Sequence, residues 1–387
     1  MIGKANHTAP QRSLTAGRAF LDLQETGRFD IAGKAPDDDT HWRANDKMGR
    51  MGITKTHHYL PQFYLRGFAK KSNLAQTWCI EKTKEARHYP VSIEKAGAEK
   101  HFHTIELPGG ERDSSTIEQE LSKEETNQGA TILRILRKEP PLTSDRVSIS
   151  RFVSLMQYRV PSFKKAVENQ IVSTAKIMLA MLAKGKRLEE MGEMYNIKIY
   201  KDIPEAARTP FFDKMRRRIE AGWVPKVTNA HLLQHMFAIA FSSRILSVLN
   251  GMRLTIWDAP DGFGLVTCDQ PVALYQPQTS DKITPAGLAD SITELTIPLS
   301  SNCLIKLDWS KEQAGRYTLD PAGVQEFNRR SVFMAVRNLY ASEIDSNTVQ
   351  LIQKNHKRFA GMKNDIVWKP DRDGAIHISS YMPVLPD

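Results

Sequence analysis

Cysteine is scarce and badly placed for cross-linking. Cys79, Cys268 and Cys303 are odd in number, far apart and without CxxC spacing. That excludes a disulfide scaffold and a cysteine-built zinc site, and makes a reducing cytoplasm the expected compartment. No uninterrupted apolar run reaches the roughly 18–20 residues that a bilayer-spanning helix needs, so no membrane partner is expected. The first twenty residues also lack the apolar centre of a secretory signal. The phosphate loop GxxxxGK[ST], the dinucleotide turn GxGxxG, the nucleophile elbow GxSxG and the zinc-protease HExxH are all missing. Each absence removes a mechanism, because each pattern places specific groups against phosphate, acyl carbon or metal.

What remains is a chain of 387 residues, 41% apolar and 25% charged, with a formal charge of +10. The length allows two domains or one large elaborated one. A positive field attracts polyanions and raises their encounter rate, so nucleic acid or nucleotide is the expected partner. Basic stretches such as "AKGKRLEE" (183–190) and "DKMRRRIEAG" (213–222) read equally well as solvated helix faces.

Residues 1–52 are Gly-, Asp- and Arg-rich, hold a "DDD" run and show no apolar period, which predicts a disordered extension. Residues 53–250 then carry an opening motif, a hairpin and a helical body. "AQTWCIEK" and "EARHYPVS" read as two strands around a Lys-rich turn. Apolar positions Phe152, Met156, Phe163, Val167 and Ile171 follow helical spacing, with Pro161 dividing that helix. "TNAHLLQHMFAIAFSSRILSVLNGM" reads as one helix from a Thr228 or Asn229 cap to a Gly251 stop. From 251 to 387 the texture turns to short β-rich runs, "MRLTIWDA", "FGLVTCD", "ELTIPLS" and "NCLIKLDW", followed by helices from Pro321 and from about 347. The predicted class is α+β: a helical body with a C-terminal antiparallel or mixed sheet and a small N-terminal hairpin, packed as one unit.

Titratable groups concentrate in "KTHHYLPQFYLRGFA" (55–69). Pro61 suits a first helical turn and Gly67 a stop, which puts His57 and His58 just before a helix N-terminus. Neutral imidazole there can act as base, acid or metal ligand, and Arg66 offers a planar fork for an anion. Glu118, three residues after Ser115, fits a capping box, and Glu118 shares a helix face with Glu125. Gln157 and Arg159 lie among apolar neighbours. A buried arginine needs an acid, for which Asp269, at the end of the strand "FGLVTCD", is the expected partner. An Asx turn before Pro271 accounts for the same aspartate structurally. Asn328 is a weaker polar position. His231 and His235 are four apart and so share one helix face; that spacing can chelate a metal, but their apolar neighbours favour packing.

Five pieces in order, "HHYLPQFYLRGF", "QYRVP" (157–161), "TCDQPV" (267–272), "IPLSSNCLI" (297–305) and "FNRRSVFMAVRNLYA" (327–341), resemble the bacterial family called domain of unknown function 4238. The resemblance runs over roughly 55–345 and implies positions, not a reaction. Two departures stand out: Cys268 where the family loop more often has Ser, and "HFHT" (101–104) where a Phe-Tyr pair is expected. The residues lead to an expected hydrolase of phosphodiester or nucleotide substrates, a candidate nuclease. It would use His57, His58, Asp269, Arg66, Arg159, Gln157 and Glu118, with a divalent metal among its options. The alternative is a non-catalytic module for nucleic acid or an acidic partner, with the same residues forming a structural network.

Overall fold

The computed structural model describes residues 56–359, apart from 108, 109, 141, 277–286 and most of 184–225. The extension 1–52, the basic stretch 183–190 except Ala183, and half of 213–222 therefore lie outside the described residues. The chain is α+β. It begins with a short strand β1 (Thr56–His58), a four-residue helix α1 (Gln62–Leu65), a 3-10 turn at Arg66–Phe68 and strand β2 (Ala69–Lys70). Strands β3 (Asn73–Glu81) and β4 (His88–Ser92) form the expected hairpin. Strand β5 (Ala98–Lys100) returns to pair antiparallel with β1, and β6 (Ile105–Glu106) pairs with β7 (Arg112–Asp113).

The helical body follows: α2 (Thr116–Leu136), α3 (Thr143–Tyr158), α4 (Pro161–Ala183), α5 (Asn229–Ala240) and α6 (Ser243–Gly251). Pro161 opens α4 as the first-turn residue, so the periodic run divides where its ring cannot continue the preceding helix. The segment read as one helix from 229 to 251 is two. It breaks at Phe241–Ser242, and the second piece ends into β8 through Met252. By length and composition Asn229–Gly251 is the one stretch among the described residues long and apolar enough to cross a membrane. Here Leu232, Leu233, Met236, Phe237 and Ala240 bury against α3 and α4.

Next come β8 (Arg253–Asp258), β9 (Thr267–Cys268), β10 (Ala273–Tyr275), β11 (Glu294–Ser300), β12 (Cys303–Asp308) and β13 (Arg316–Thr318). Helix α7 (Pro321–Met334), β14 (Asn338–Ala341) and α8 (Ser346–Asn355) complete the described chain. Asp320 caps α7 by accepting from the Gly323 N–H, as its sequence position predicts. One sheet runs β10-β11-β12-β8-β13, antiparallel except for the β13–β8 pair. Nearly every residue of β11 and β12 is buried, and the bulge between Pro298 and Ser300 accommodates the proline that a regular ladder could not.

The N-terminal hairpin does not stand by itself. β14 pairs with the Trp78–Glu81 half of β3 and, on its other side, with β9, giving a second sheet of order β2-β3-β14-β9 with β4 on β3. One hydrophobic cluster joins Tyr59 and Tyr64 of the opening motif to helix residues such as Phe152 and to Leu299 and Tyr340. Tyr64 Oη and Thr267 Oγ1, 2.5 Å apart, make the polar contact inside it.

Gly67 has a different task from the helix stop its sequence suggests. The Ser301 N–H donates to its carbonyl at 2.9 Å, and a Cβ at this position would sit 2.3 Å from the Leu299 carbonyl oxygen. Glycine lets the opening motif lie directly on the β11–β12 turn. Gly67→Ala should therefore lower unfolding free energy by about 3 kcal/mol, because the clash is with backbone rather than with a flexible side chain. Urea denaturation of both proteins checks it; a change under roughly 0.5 kcal/mol would refute the packing account.

Candidate functional site

The most concentrated set of reactive side chains is built around the turn His101–Thr104. His101 has a φ of 58°, a left-handed conformation that histidine tolerates better than β-branched residues do, and the Thr104 N–H donates to its carbonyl. The Asn229 side-chain amide, from the first turn of α5, donates to the Phe102 and Thr104 carbonyls at 3.1 and 2.6 Å. Lys164 of α4 also donates to the Phe102 carbonyl. Held this way, His103 points into the protein and is 1% exposed.

Three elements converge on His103. From α2, the Glu118 carboxylate accepts a very short hydrogen bond from its Nδ1. From β1, His57, fully buried, stacks on it with ring centroids 5.6 Å apart and accepts the His103 backbone N–H at Nδ1. From the end of α3, Arg159 adds its positive charge nearby. The ligand atoms of His57, His103 and Glu118 all lie within 4.8 Å of one another.

Burial dominates the electrostatics. It pulls the His103 imidazole down to about 4, with the hydrogen bond to Glu118 opposing and Arg159 reinforcing. Burial pushes Glu118 upward, but the His103 hydrogen bond and the nearby His103, His57 and Arg159 outweigh it and leave the carboxyl below its ordinary value. The dyad is thus a neutral imidazole and a carboxylate. His103 Nε2 is buried with no hydrogen-bond partner among the described residues, and so is Arg159 Nε.

Arg159 is 1% exposed. It donates from Nη1 to Glu125 at 2.8 Å and from Nη2 to the His58 carbonyl at 2.6 Å. Its partner is Glu125, not Asp269. With both Nη groups engaged, it positions β1 against α2 and is not a free clamp for substrate. Two carboxylates and one guanidinium leave this pocket with one net negative charge.

The Asp269 carboxylate is saturated by backbone. Its carboxylate accepts from the N–H groups of Val336, Arg337 and Asn338 at 2.8, 2.8 and 3.2 Å, closing the turn between α7 and β14. Burial raises its proton affinity and those three donors lower it. These bonds give it a turn-closing role, and neither His58 nor Arg159 is among its hydrogen-bond partners. His58 is partly exposed and meets the Glu94 carbonyl through Nε2 at 3.0 Å. His57 and His58 sit on strand β1, which ends three residues before Pro61, the cap of α1. Arg66 is exposed and enters no ion pair among the described residues. Gln157 is buried beside the end of α3, its Oε1 without a partner among the described residues.

Glu118 is not a capping residue either. Asp113 caps α2, its Oδ1 accepting from the Ser115 and Thr116 N–H groups, which frees Glu118 for His103. Asn328 braces a loop by donating to the Gly264 carbonyl and accepting from the Val266 N–H. That loop borders a groove of about 1480 Å³ lined by Asp258, Asp261, Asn302, Arg329 and Lys354 among others, and none of the His103 cluster reaches it. The residue missed in the sequence is His103. Its signal was present in "HFHT", where two histidines flank a phenylalanine, but nothing local shows which one turns inward.

The model of the family described as "Protein of unknown function (DUF4238)" matches residues 56–345, and the chain belongs to that family. No curated protein and no solved structure matches it.

The linkage has a definite sign. The unfolded chain protonates His103 near its ordinary 6.5, whereas the folded chain keeps it neutral down to about 4. The stabilisation is complete above pH 6.5 and is lost as pH falls through that window, on the order of 3 kcal/mol for this group. Denaturant titrations at pH 7 and 4.5 should show a steeper loss for the native chain than for His103→Gln; parallel losses would refute the assignment.

Proposed function

We propose that this chain is a metal-assisted hydrolase of phosphodiester or nucleotide substrates, with a divalent cation held by His57, His103 and Glu118. The observation that carries the reading is that β1, the His101–Thr104 turn and α2, distant in sequence, bring three ligand atoms within 4.8 Å of one another. Two zinc–ligand bonds of about 2.1 Å at a tetrahedral angle hold their ligand atoms about 3.4 Å apart, so the widest pair closes by up to roughly 1.4 Å to seat a cation. The cation would take the place of the proton between His103 Nδ1 and Glu118. His57 would exchange its hydrogen bond with the His103 N–H for a metal bond if it ligates through Nδ1. Metal binding requires a neutral imidazole, and the burial of His103 keeps it so.

In this reading the cation supplies Lewis acidity and an activated water. Arg159 and Glu125 hold the ligand-bearing elements in register, and Arg159 partly offsets the carboxylates without neutralising them. The excess of 54 Lys and Arg over 44 Asp and Glu favours a polyanionic substrate. Three buried free thiols, Cys79, Cys268 and Cys303, fit the reducing cytoplasm we propose as its place.

A second reading is a non-catalytic module for nucleic acid or an acidic partner. Its specific support is the sealing of His57, His103 and Arg159, each no more than 1% exposed, which suits a structural polar network. Metal analysis of the purified chain, with a panel of nuclease and nucleotide substrates, separates the two. The enzyme reading expects His103→Asn and Glu118→Gln to lose bound metal and about a hundredfold or more in rate while circular dichroism at pH 7.5 is unchanged. Metal-free protein with steeply salt-dependent polyanion binding, unaffected by either substitution, would replace it with the second reading.

A further inference from the structure

The histidines of α5 do not pack into the core as their apolar neighbours suggest. Leu232, Leu233, Met236, Phe237 and Ala240 occupy the buried face, whereas His231 and Ala238 are exposed and His235 is partly so. His231, His235 and Ala238 follow the i, i+4, i+7 stripe on the outer side of the helix.

On that stripe the two imidazoles meet each other. His231 Nε2 and His235 Nε2 are 3.1 Å apart, with ring centroids at 4.4 Å and planes 75° apart. Only one of the two Nε2 atoms can hold the shared proton as a donor. Two neutral imidazole nitrogens bonded to one cation at about 2.0–2.1 Å sit roughly 3 Å apart when the N–metal–N angle is near 90–100°. The pair already has that spacing. His235 is held below its ordinary proton affinity by burial and by the adjacent His231, which favours the metal-binding form.

We propose that His231 and His235 form a second metal site, a two-imidazole chelate for a borderline transition cation such as Zn²⁺ or Ni²⁺, with water completing its coordination. It is separate from the His103 cluster and does not depend on the function proposed for that cluster. Among the described residues no Cys, Asp or Glu joins the pair as a third ligand within a compact group. Nitrogen-only donation selects such cations over Mg²⁺ or Ca²⁺, which take oxygen. The site also has a structural consequence. The first turn of α5 carries both His231 and Asn229, the residue that clamps the Phe102 and Thr104 carbonyls, so a cation bridging turns one and two stiffens the segment that holds His103 in place.

Calorimetric titration of the full chain with Ni²⁺ and with Zn²⁺ tests the proposal, alongside His231→Ala, His235→Ala and His103→Asn. The expected result is one equivalent, in addition to any cation on the His103 cluster, whose affinity falls by about tenfold or more in each α5 variant, since one imidazole cannot chelate, and which persists in His103→Asn. Melting temperature should rise with metal concentration in His103→Asn, and that rise should vanish when His231→Ala or His235→Ala is combined with it. Mg²⁺ should give no heat. Affinity unchanged in both α5 variants, or metal lost only with His103→Asn, would overturn the site.

Discussion

A guanidinium taken out of water needs a counter-charge and hydrogen-bond acceptors, and that requirement organises this protein. Arg159 ends α3 under the surface, bonds Glu125 of α2 and reaches the carbonyl of His58 in β1. Removing the Glu125 carboxylate leaves a buried charge uncompensated, which is far more costly than never having had the pair. The consequence is geometric. The strand carrying His57 and the helix carrying Glu118 are tied to one side chain, so the imidazole of His103 arrives between two elements whose separation is already set.

The opening motif illustrates how one sequence can serve packing and chemistry together. Tyr59, Leu60, Tyr64, Leu65 and Phe68 are essentially sealed, and Gly67 touches the β11–β12 turn. Most of the motif is therefore core. Its polar members divide: His57 turns inward to the cluster, His58 meets a loop carbonyl and Arg66 faces solvent. Alternation along a strand is enough to send adjacent histidines to opposite sides.

Local signals were the ones legible in the sequence. The division at Pro161, the cap at Asp320, the β3–β4 hairpin and the strand-rich C-terminal half all follow from residue chemistry within a few positions. Partnerships across the chain were not. Asp269 reads as an acid at a strand end, but three N–H groups from Val336 to Asn338 claim its oxygens. Glu118 reads as a cap because Ser115 precedes it, yet Asp113 takes that role and releases it. In both cases the choice is made by which donor tertiary packing brings nearest, and a donor seventy residues away leaves no trace in local spacing.

The pairing of β14 with β3 also bears on how the chain comes into being. During synthesis the Trp78–Glu81 edge emerges from the ribosome well before residues 338–341, its partners. At elongation rates of about 5–20 residues per second, that edge waits on the order of ten to fifty seconds for its neighbour. An open row of backbone donors and acceptors beside Ile80 invites association with other nascent chains. A slow final closure set by sequence-distant contacts is built into the topology.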